Sequence, residues 1–375
     1  MSTDPSLPRL RLAGRTGSRA LSVVGRARIY VCGVTPYDVT HLGHAATFVW
    51  VDAADRVLRR LGVQVEVCRN VTDVDDVLFD AAARAGAHYD RFAAVQQFRF
   101  EQDMDALGVR RPAHEPRAHT FIGPVVDLAQ ALLDNGAAYE SGGSVYLHGA
   151  PVAATAGLDR ATAEQLLRDN GGRVDDPAKR DPLDQAVWQA SRDGEPAWPS
   201  PWGPGRPGWH AECTAMALSI YGPGVDLHAG GADLRFPHHA FETAQAEAAT
   251  GVTPFARAWM HVGTVQLKGE KMAKSTGNLV FVSDLVAQAT GPVVRTLLLD
   301  RSYAQAWDHT GEELDRAAVR LEALHAAAGR PVTDEAAQRA VLEALADDLD
   351  VPRALDVAIE AGGQAARDLM AVLAL

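Results

Sequence analysis

Ala27-Arg-Ile-Tyr-Val-Cys32-Gly33-Val-Thr-Pro-Tyr-Asp38-Val-Thr-His41-Leu-Gly43-His44-Ala45 is the stretch on which the reading of the fold turns. The β-branched and aromatic run that ends at Cys32 predicts a buried strand, and the apolar pattern over 47–61 predicts a long helix. Strand, glycine-containing turn and helix make the layout in which backbone N–H groups at a helix N-terminus meet an anionic ligand. Gly43 would let a ligand approach the backbone closely, and His41 and His44 share one face of the helical turn. Two histidines at this spacing also suit a metal pair or an ordinary surface.

Outward from this unit the pattern is that of an interrupted α/β sheet. Residues 63–67 predict a second strand, and Asn70-Val-Thr-Asp-Val-Asp-Asp76 predicts a polar turn that caps the next helix. Three aspartates in this turn suggest calcium, but the glycine and distal glutamate of a helix-loop-helix site are missing, and a capping role fits better. Helical patterns follow over 78–85, 92–107 and 121–135. A short hairpin over 138–147 and an Ala-, Gly- and Asp-rich region up to about 190 then read as a module inserted between two halves of a sheet.

Residues 195–209 hold five prolines, three glycines and three tryptophans and predict neither helix nor central strand. Aromatic loops of this length either line sites or pack over a core edge. His210-Ala-Glu-Cys213 opens a helix to about 221, 225–228 predicts a strand, and a small-residue turn leads through Pro237 into another helix. Residues 255–266 supply a further strand, and from about 283 the pattern is helical. Residues 1–27 predict a loosely ordered lead-in with a short strand over 20–24.

With 375 residues, 47% hydrophobic and 22% charged, the chain reads as globular, without the apolar core of a signal peptide or a membrane span. A cytoplasmic location is expected. The formal charge of −12 argues against a broad nucleic-acid surface, since phosphate backbones are gripped by clustered Lys and Arg. Three scattered cysteines, Cys32, Cys68 and Cys213, are too few for a disulfide framework, which turns attention to metal binding and catalysis.

Only four lysines occur, at 179, 268, 271 and 274, and three of them lie in Lys268-Gly-Glu-Lys271-Met272-Ala273-Lys274-Ser275. In a chain that otherwise uses arginine, lysine marks places where a compact, mobile ammonium is needed. With the flanking Gly269 and Gly277 and the nearby hydroxyls, the segment suits a loop that closes over phosphates. The His41–His44 turn and this loop would bracket a polyphosphate from two sides, and no P-loop motif is present. Cys32, Cys213, His238 and Glu242 offer two thiolates, an imidazole and a carboxylate, a set zinc accepts; His239 could stand in for His238. Without a Cys-x-x-Cys pair, the same cysteines also fit simple core packing.

His41-Leu-Gly-His44 resembles the first signature of class I aminoacyl-tRNA synthetases, and Lys271-Met-Ala-Lys-Ser275 is similar to the second, with Ala273 where serine is usual. Cys32-Gly-Val-Thr-Pro-Tyr-Asp38, Asn70-Val-Thr-Asp-Val-Asp-Asp76, Pro207-Gly-Trp-His-Ala-Glu-Cys213 and Phe236-Pro-His-His239 resemble the cysteinyl-tRNA synthetases and their relatives, over about residues 27–300. Thr35-Pro-Tyr-Asp-Val-Thr-His-Leu-Gly-His-Ala-Ala46, Asp75-Asp-Val-Leu-Phe79 and Ala346-Asp-Asp-Leu-Asp-Val-Pro352 are similar to the cysteine ligases of mycothiol biosynthesis, which join cysteine to the amine of glucosaminyl-inositol without tRNA. The chain also ends about where those ligases end. Glu242, Glu115-Pro-Arg-Ala118 and Trp259-Met-His261 look more like the synthetases.

The resemblance implies one zinc ion held by Cys32, Cys213 and His238, with Glu242 matching the fourth ligand of the tRNA enzymes, and substrate cysteine bound through its thiolate. Thr35, Trp209 and Asp233 match positions that contact the aminoacyl group. His41, His44, Lys271 and Lys274 match the groups that stabilise departing pyrophosphate from Mg2+-bound ATP, and Gly33, Gly43, Met272 and Ser275 match the nucleotide site. It further implies a Rossmann-like catalytic domain at 28–282 with an insertion at about 110–200, after a lead-in at 1–27 and before a helical domain at 283–375. The expected activity is ATP-dependent ligation of L-cysteine to an amino sugar through cysteinyl adenylate, by a monomer that uses small molecules rather than tRNA or membrane. A minimal cysteinyl-tRNA synthetase, a paralogue that loads another amine or carrier, and a catalytically silent binding paralogue are the alternatives.

Overall fold

The computed structural model describes residues 7–14, 17–37, 39–192, 194–272 and 277–375. Lys274 and Ser275 lie outside the described residues, as do Asp38, Ala273 and Thr276. Arg11–Gly14 (β1) and Gly17–Ala20 (β2) form an antiparallel ribbon. This differs from the loose lead-in expected, and the strand expected over 20–24 is absent there. Leu10, Leu12 and Leu21 are buried in the main core, and Ala13 N–H donates to Asp348 Oδ1 at 2.7 Å, so apolar burial and a distant carboxylate hold the segment in place.

Arg26–Val34 (β3) is the inner strand from which the architecture grows, followed by the helix Leu42–Arg60 (α1) and the parallel strand Gln64–Val71 (β4). The polar turn expected from Asn70 begins later, because Asn70 and Val71 still belong to β4 and are fully buried. Asp75 then caps Asp76–Arg84 (α2), its carboxylate accepting from Val77 N–H, and Tyr89–Ala106 (α3) follows.

Between the halves of the main sheet lie Ile122–Asp134 (α4), Ala138–Ser141 (β5), Ser144–Leu147 (β6), Gly149–Thr155 (α5), Arg160–Asp169 (α6), Gln185–Ala190 (β7) and Gly205–Pro207 (β8). The strands form an antiparallel sheet in the order β5-β6-β7-β8. The proline-rich stretch thus supplies a short edge strand, the one sheet position that tolerates proline.

Trp209–Tyr221 (α7) leads back to the main sheet, which continues with Val225–Gly231 (β9), His238–Thr250 (α8) and Ala256–Val262 (β10). Its order is β10-β9-β3-β4, all parallel, so the fold is Rossmann-like. The chain leaves β3 for β4 on one side and returns to β9 on the other. Ligands of open α/β sheets bind at such a switch point, beyond the carboxyl ends of the strands.

Val265–Leu267 (β11) and Glu270–Lys271 (β12) come next, then Val282–Gln288 (α9), Gly291–Leu299 (α10) and Trp307–Asp308 (β13), which pairs with β11. Gly311–Ala328 (α11), Glu335–Ala346 (α12), Val351–Ala361 (α13) and Gly363–Leu373 (α14) complete the chain. One core joins the main sheet, α1 and these helices, while a second lies in the inserted elements and takes in Ala211, Ala215 and Phe241 of α7 and α8.

A buried ion pair ties the helical end to the sheet. Arg295 Nη2 donates to Asp52 Oδ2 at 2.6 Å, while its Nε and Nη1 reach the carbonyls of Leu373 (2.8 Å) and Leu107 (3.1 Å). Asp52 also accepts from Arg56 at 2.7 Å and from Arg110 N–H at 3.0 Å. Without Arg295, Asp52 would keep Arg56, but two carbonyls would lose a donor in a low-dielectric interior. Arg295→Met is expected to destabilise the protein by roughly 1–3 kcal/mol, read as a lower urea midpoint; a change below about 0.5 kcal/mol would show that these buried contacts carry little stability.

Candidate functional site

At the switch point lies a cleft of about 820 Å³. It is lined by the carboxyl ends of β3 and β9, the starts of α1, α2 and α7, the segment after β10 and the inserted elements. The closest backbone approach in this region is at Gly33, where a Cβ would sit 1.6 Å from the Asn70 carbonyl oxygen. Gly33 N–H donates to Asn70 Oδ1 at 2.8 Å, and the β3–β4 register shifts between Val31 and Val34. Only glycine fits such an approach, and the local irregularity sets where the neighbouring Cys32 points.

Cys32 meets the other three predicted ligands. Cys32, Cys213, His238 and Glu242 are all buried, with one ligand atom from each within 4.8 Å of the others. Glu242 Oε1 lies 3.5 Å from both Cys32 Sγ and His238 Nε2. The i, i+4 spacing on α8 brings His238 and Glu242 to one face, and Cys213 comes from the first turns of α7. His238 Nδ1 is 2.9 Å from His210 Nδ1 and its ring lies 4.3 Å from that of Trp209, which fixes the imidazole with Nε2 towards the cluster.

A second set overlaps the first: Cys32, His228, His239 and Glu242 also bring ligand atoms within 4.8 Å. His228 is wholly buried, completes no hydrogen bond on either ring nitrogen among the described residues, and holds Nε2 3.1 Å from Glu242 Oε2. His239 pairs through Nδ1 with His261 Nε2 at 2.9 Å, while its own Nε2 is unpartnered. The expected exchange of His239 for His238 therefore carries His228 with it. Of the first set Cys32, Cys213 and His238 line the cleft; of the second only Cys32 does.

The electrostatics are those of a cation-seeking cluster. Burial pushes the Cys32 thiol well up, whereas a hydrogen bond with Cys32 draws Cys213 down to about 7. Burial works against ionised Glu242, yet His238 and His228 hold its pKa below the usual value; burial works against charged His238, yet Glu242 and Cys213 raise it. Two thiols, an imidazole and a carboxylate form a donor set that zinc accepts, and buried nitrogens without partners beside them add to the fit.

The other predicted residues gather around this cluster. His41 is the N-cap of α1, its Nδ1 accepting from Gly43 N–H at 3.1 Å and from His44 N–H at 3.4 Å, and the His41 and His44 rings stack with centroids 3.7 Å apart. Thr35, Gly33, Gly43, Trp209, Asp233 and Met272 line the cleft. Lys271 Nζ lies 2.6 Å from Asp233 Oδ2, which joins the lysine loop to the end of β9. Lys268 is exposed and takes a positive φ of 56°.

Some neighbours of the site were not singled out by sequence. His228 ends up under the cluster through the pairing of β9 with β3 and β10, a relation with no trace in local spacing. Glu212 is wholly buried with both oxygens unpartnered, its pKa pushed well up by burial and by Asp75. Asp75 and Lys179 also line the cleft. For Lys179 a signal existed, since it is the one lysine outside the loop.

Comparison with known proteins matches residues 20–319 to the family described as tRNA synthetases class I (C) catalytic domain. The chain belongs to this family. A Thermobispora bispora protein named L-cysteine:1D-myo-inositol 2-amino-2-deoxy-alpha-D-glucopyranoside ligase is 44% identical, over 88% of this chain and 83% of the relative. The ligase of the same name from Tsukamurella paurometabola is 46% identical over 94% of this chain and 88% of its own length. Among solved structures, the Mycobacterium tuberculosis methionyl-tRNA synthetase in complex with methionyl-adenylate superposes with a TM-score of 0.66 at 16% identity, covering 90% of this chain and 82% of that one. At that identity the likeness speaks for the class I synthetase fold alone.

Gly33→Ala is expected to destabilise the family fold at its centre, by about 1–3 kcal/mol or more, because the methyl group must displace the Asn70 backbone. A melting temperature unchanged from wild type would contradict this account of the β3–β4 contact.

Proposed function

We propose that this protein is an ATP-dependent, AMP-forming ligase that activates L-cysteine as cysteinyl adenylate and transfers it to the amine of glucosaminyl-inositol. The observation that carries the reading is identity of 44–46% with ligases of that name across about nine-tenths of the chain. The buried thiol, imidazole and carboxylate set at the mouth of a class I cleft agrees with a thiol substrate.

In this reading Cys32, Cys213, His238 and Glu242 hold a zinc ion. The first set is preferred because it opens on the cleft. When bound, zinc supplies a soft site for a thiolate, which favours cysteine over serine. Thr35 and Trp209 flank the aminoacyl group, and Asp233, at the end of β9, faces its ammonium. The α1 N-terminus, with His41, Gly43 and His44, meets the phosphates of Mg2+-bound ATP, and Gly33 and Met272 line the nucleotide. Lys271, at the end of β12, and in sequence Lys274 and Ser275 complete the set.

The cysteine carboxylate attacks the α-phosphorus as the bond to the bridging oxygen breaks, and pyrophosphate leaves with that electron pair. His41, His44 and the two lysines stabilise the charge that develops on it. The acceptor amine then attacks the carbonyl carbon and AMP departs. The net charge of −12 supports a small acceptor in place of tRNA.

Two measurements test this reading. Purified protein with ATP and cysteine should form AMP when glucosaminyl-inositol is added; charging of tRNA without response to the amino sugar would move the reading to a minimal cysteinyl-tRNA synthetase. Metal analysis should find about one zinc per folded chain, lost in Cys213→Ser and His238→Asn and kept in His239→Asn. Loss in His239→Asn alone would assign the ion to the second set.

A further inference from the structure

The inserted elements and the start of α2 bring many charged groups to the cleft, and nearly all already hold hydrogen bonds. Asp76 bridges two arginines, lying 2.7 Å from both Arg206 and Arg173. Asp176 accepts from the Tyr146 hydroxyl at 3.0 Å, and Asp169 from Gln165 at 2.8 Å. Two groups are left over. Asp75 uses Oδ1 to cap α2, accepting from Val77 N–H at 2.8 Å, and its Oδ2 has no hydrogen-bond or ion-pair partner among the described residues. Lys179 is half-buried, and its Nζ makes no hydrogen bond or close ion pair among the described residues, although the charges of Asp176 and Asp184 act on it.

Both groups lie within electrostatic reach of the metal-donor end. Asp75 interacts with His238, and Lys179 with His210, the residue that braces His238. Both line the same cleft as Trp209 and His238, the residues next to which the reading above puts the aminoacyl group. Leaving donors and acceptors of half-buried charged groups without hydrogen bonds is costly unless water or a ligand completes them.

We propose that Asp75 and Lys179 form the acceptor subsite, for a small polyhydroxylated primary amine: Asp75 Oδ2 receives the ammonium and Lys179 donates to the hydroxyls. The proposal rests on the adenylate reading and names the side chains that select its second substrate. One ammonium proton passes to Asp75 Oδ2, and the freed nitrogen lone pair forms the C–N bond to the cysteinyl carbonyl carbon. The C–O bond to the α-phosphate then breaks, its electron pair leaves with AMP, and the second nitrogen proton goes to that phosphate. Burial raises Asp75 to about 6 despite its hydrogen bond from Val77, which suits a carboxylate that must take up a proton. Burial likewise lowers Lys179 to about 8, as expected of an ammonium that awaits hydrogen-bond partners.

The two half-reactions test this separately. Asp75→Asn keeps an oxygen for the α2 cap while losing the charge, and Lys179→Met keeps the stem. Asp75→Asn is expected to lower kcat/KM for glucosaminyl-inositol by about 10²–10⁴-fold. Lys179→Met is expected to raise the acceptor KM about tenfold with little change in kcat, the sign of lost uniform binding. In both variants cysteine-dependent ATP–pyrophosphate exchange, which also reports a folded adenylate site, should stay within about threefold of wild type.

Acceptor kinetics within about threefold of wild type in both variants would overturn the subsite. So would a parallel fall in exchange, which would place the residues in adenylate formation. Absence of exchange in the wild type would instead bring down the adenylate reading, and this proposal with it.

Discussion

The contact between Gly33 and the backbone of Asn70 is the constraint on which the lining of the cleft depends. Parallel strands normally keep their main chains apart by the width of a hydrogen bond, with side chains alternating above and below. Here the Asn70 carbonyl fills the space of a missing side chain, and the Asn70 amide spans the gap, accepting from Gly33 N–H and donating to Thr72 Oγ1 at 3.0 Å. On β3 the resulting irregularity directs Cys32 to α8; on β4 it starts the turn that carries Asp73 and Asp75 to the start of α2. One close approach thus sets Cys32 and the Asp75 carboxylate in a common frame.

The donor cluster has a cost that the fold bears without any evident gain in packing. Ionised groups taken out of water are expensive, and the attraction between them offsets that only when the geometry and the remaining hydrogen bonds are good. Cys32, Cys213, His238, Glu242 and His228 meet neither condition alone: both ring nitrogens of His228 complete no hydrogen bond among the described residues, and the protonation states of the others depend on one another. A cation in their midst resolves both defects. The outer contacts are already set for one, since His210 and Trp209 brace His238 from the side away from the cluster, and ring orientation is what such neighbours control.

Much of this was legible in the sequence, for reasons specific to each element. The β3–α1 unit shows because a strand buried on both faces is an unbroken apolar run and its turn must carry small and polar residues. Cys32, Cys213, His238 and Glu242 could be grouped by donor chemistry, although nothing in their spacing says that β3, α7 and α8 converge. His228 was missed because its role comes from strand pairing, and a histidine inside a strand looks the same whether it packs or ligates. The β1–β2 ribbon was read as loose because its own composition is polar, while Leu10, Leu12 and Leu21 find their partners hundreds of residues away. Helices α5 and α6 fell in a region whose glycines and aspartates suggested turns; there Asp159 acts as an N-cap, its carboxylate accepting from Thr162 N–H at 2.9 Å.

The bias of the chain towards arginine follows the same division of labour. Arg295 is wholly buried and makes three directed contacts, and Arg206 joins Asp76 to Glu195, fastening the start of α2 to the inserted sheet. A planar fork suits these places because each donor direction is used. The described lysines behave otherwise: Lys271 reaches Asp233 from a half-exposed position, Lys268 is exposed, and Lys179 stands in the cleft with no hydrogen bond or close ion pair among the described residues. Arginine holds the frame through fixed geometry. Lysine is kept for places where the partner comes and goes, and a catalytic cleft is where such a cation is of use.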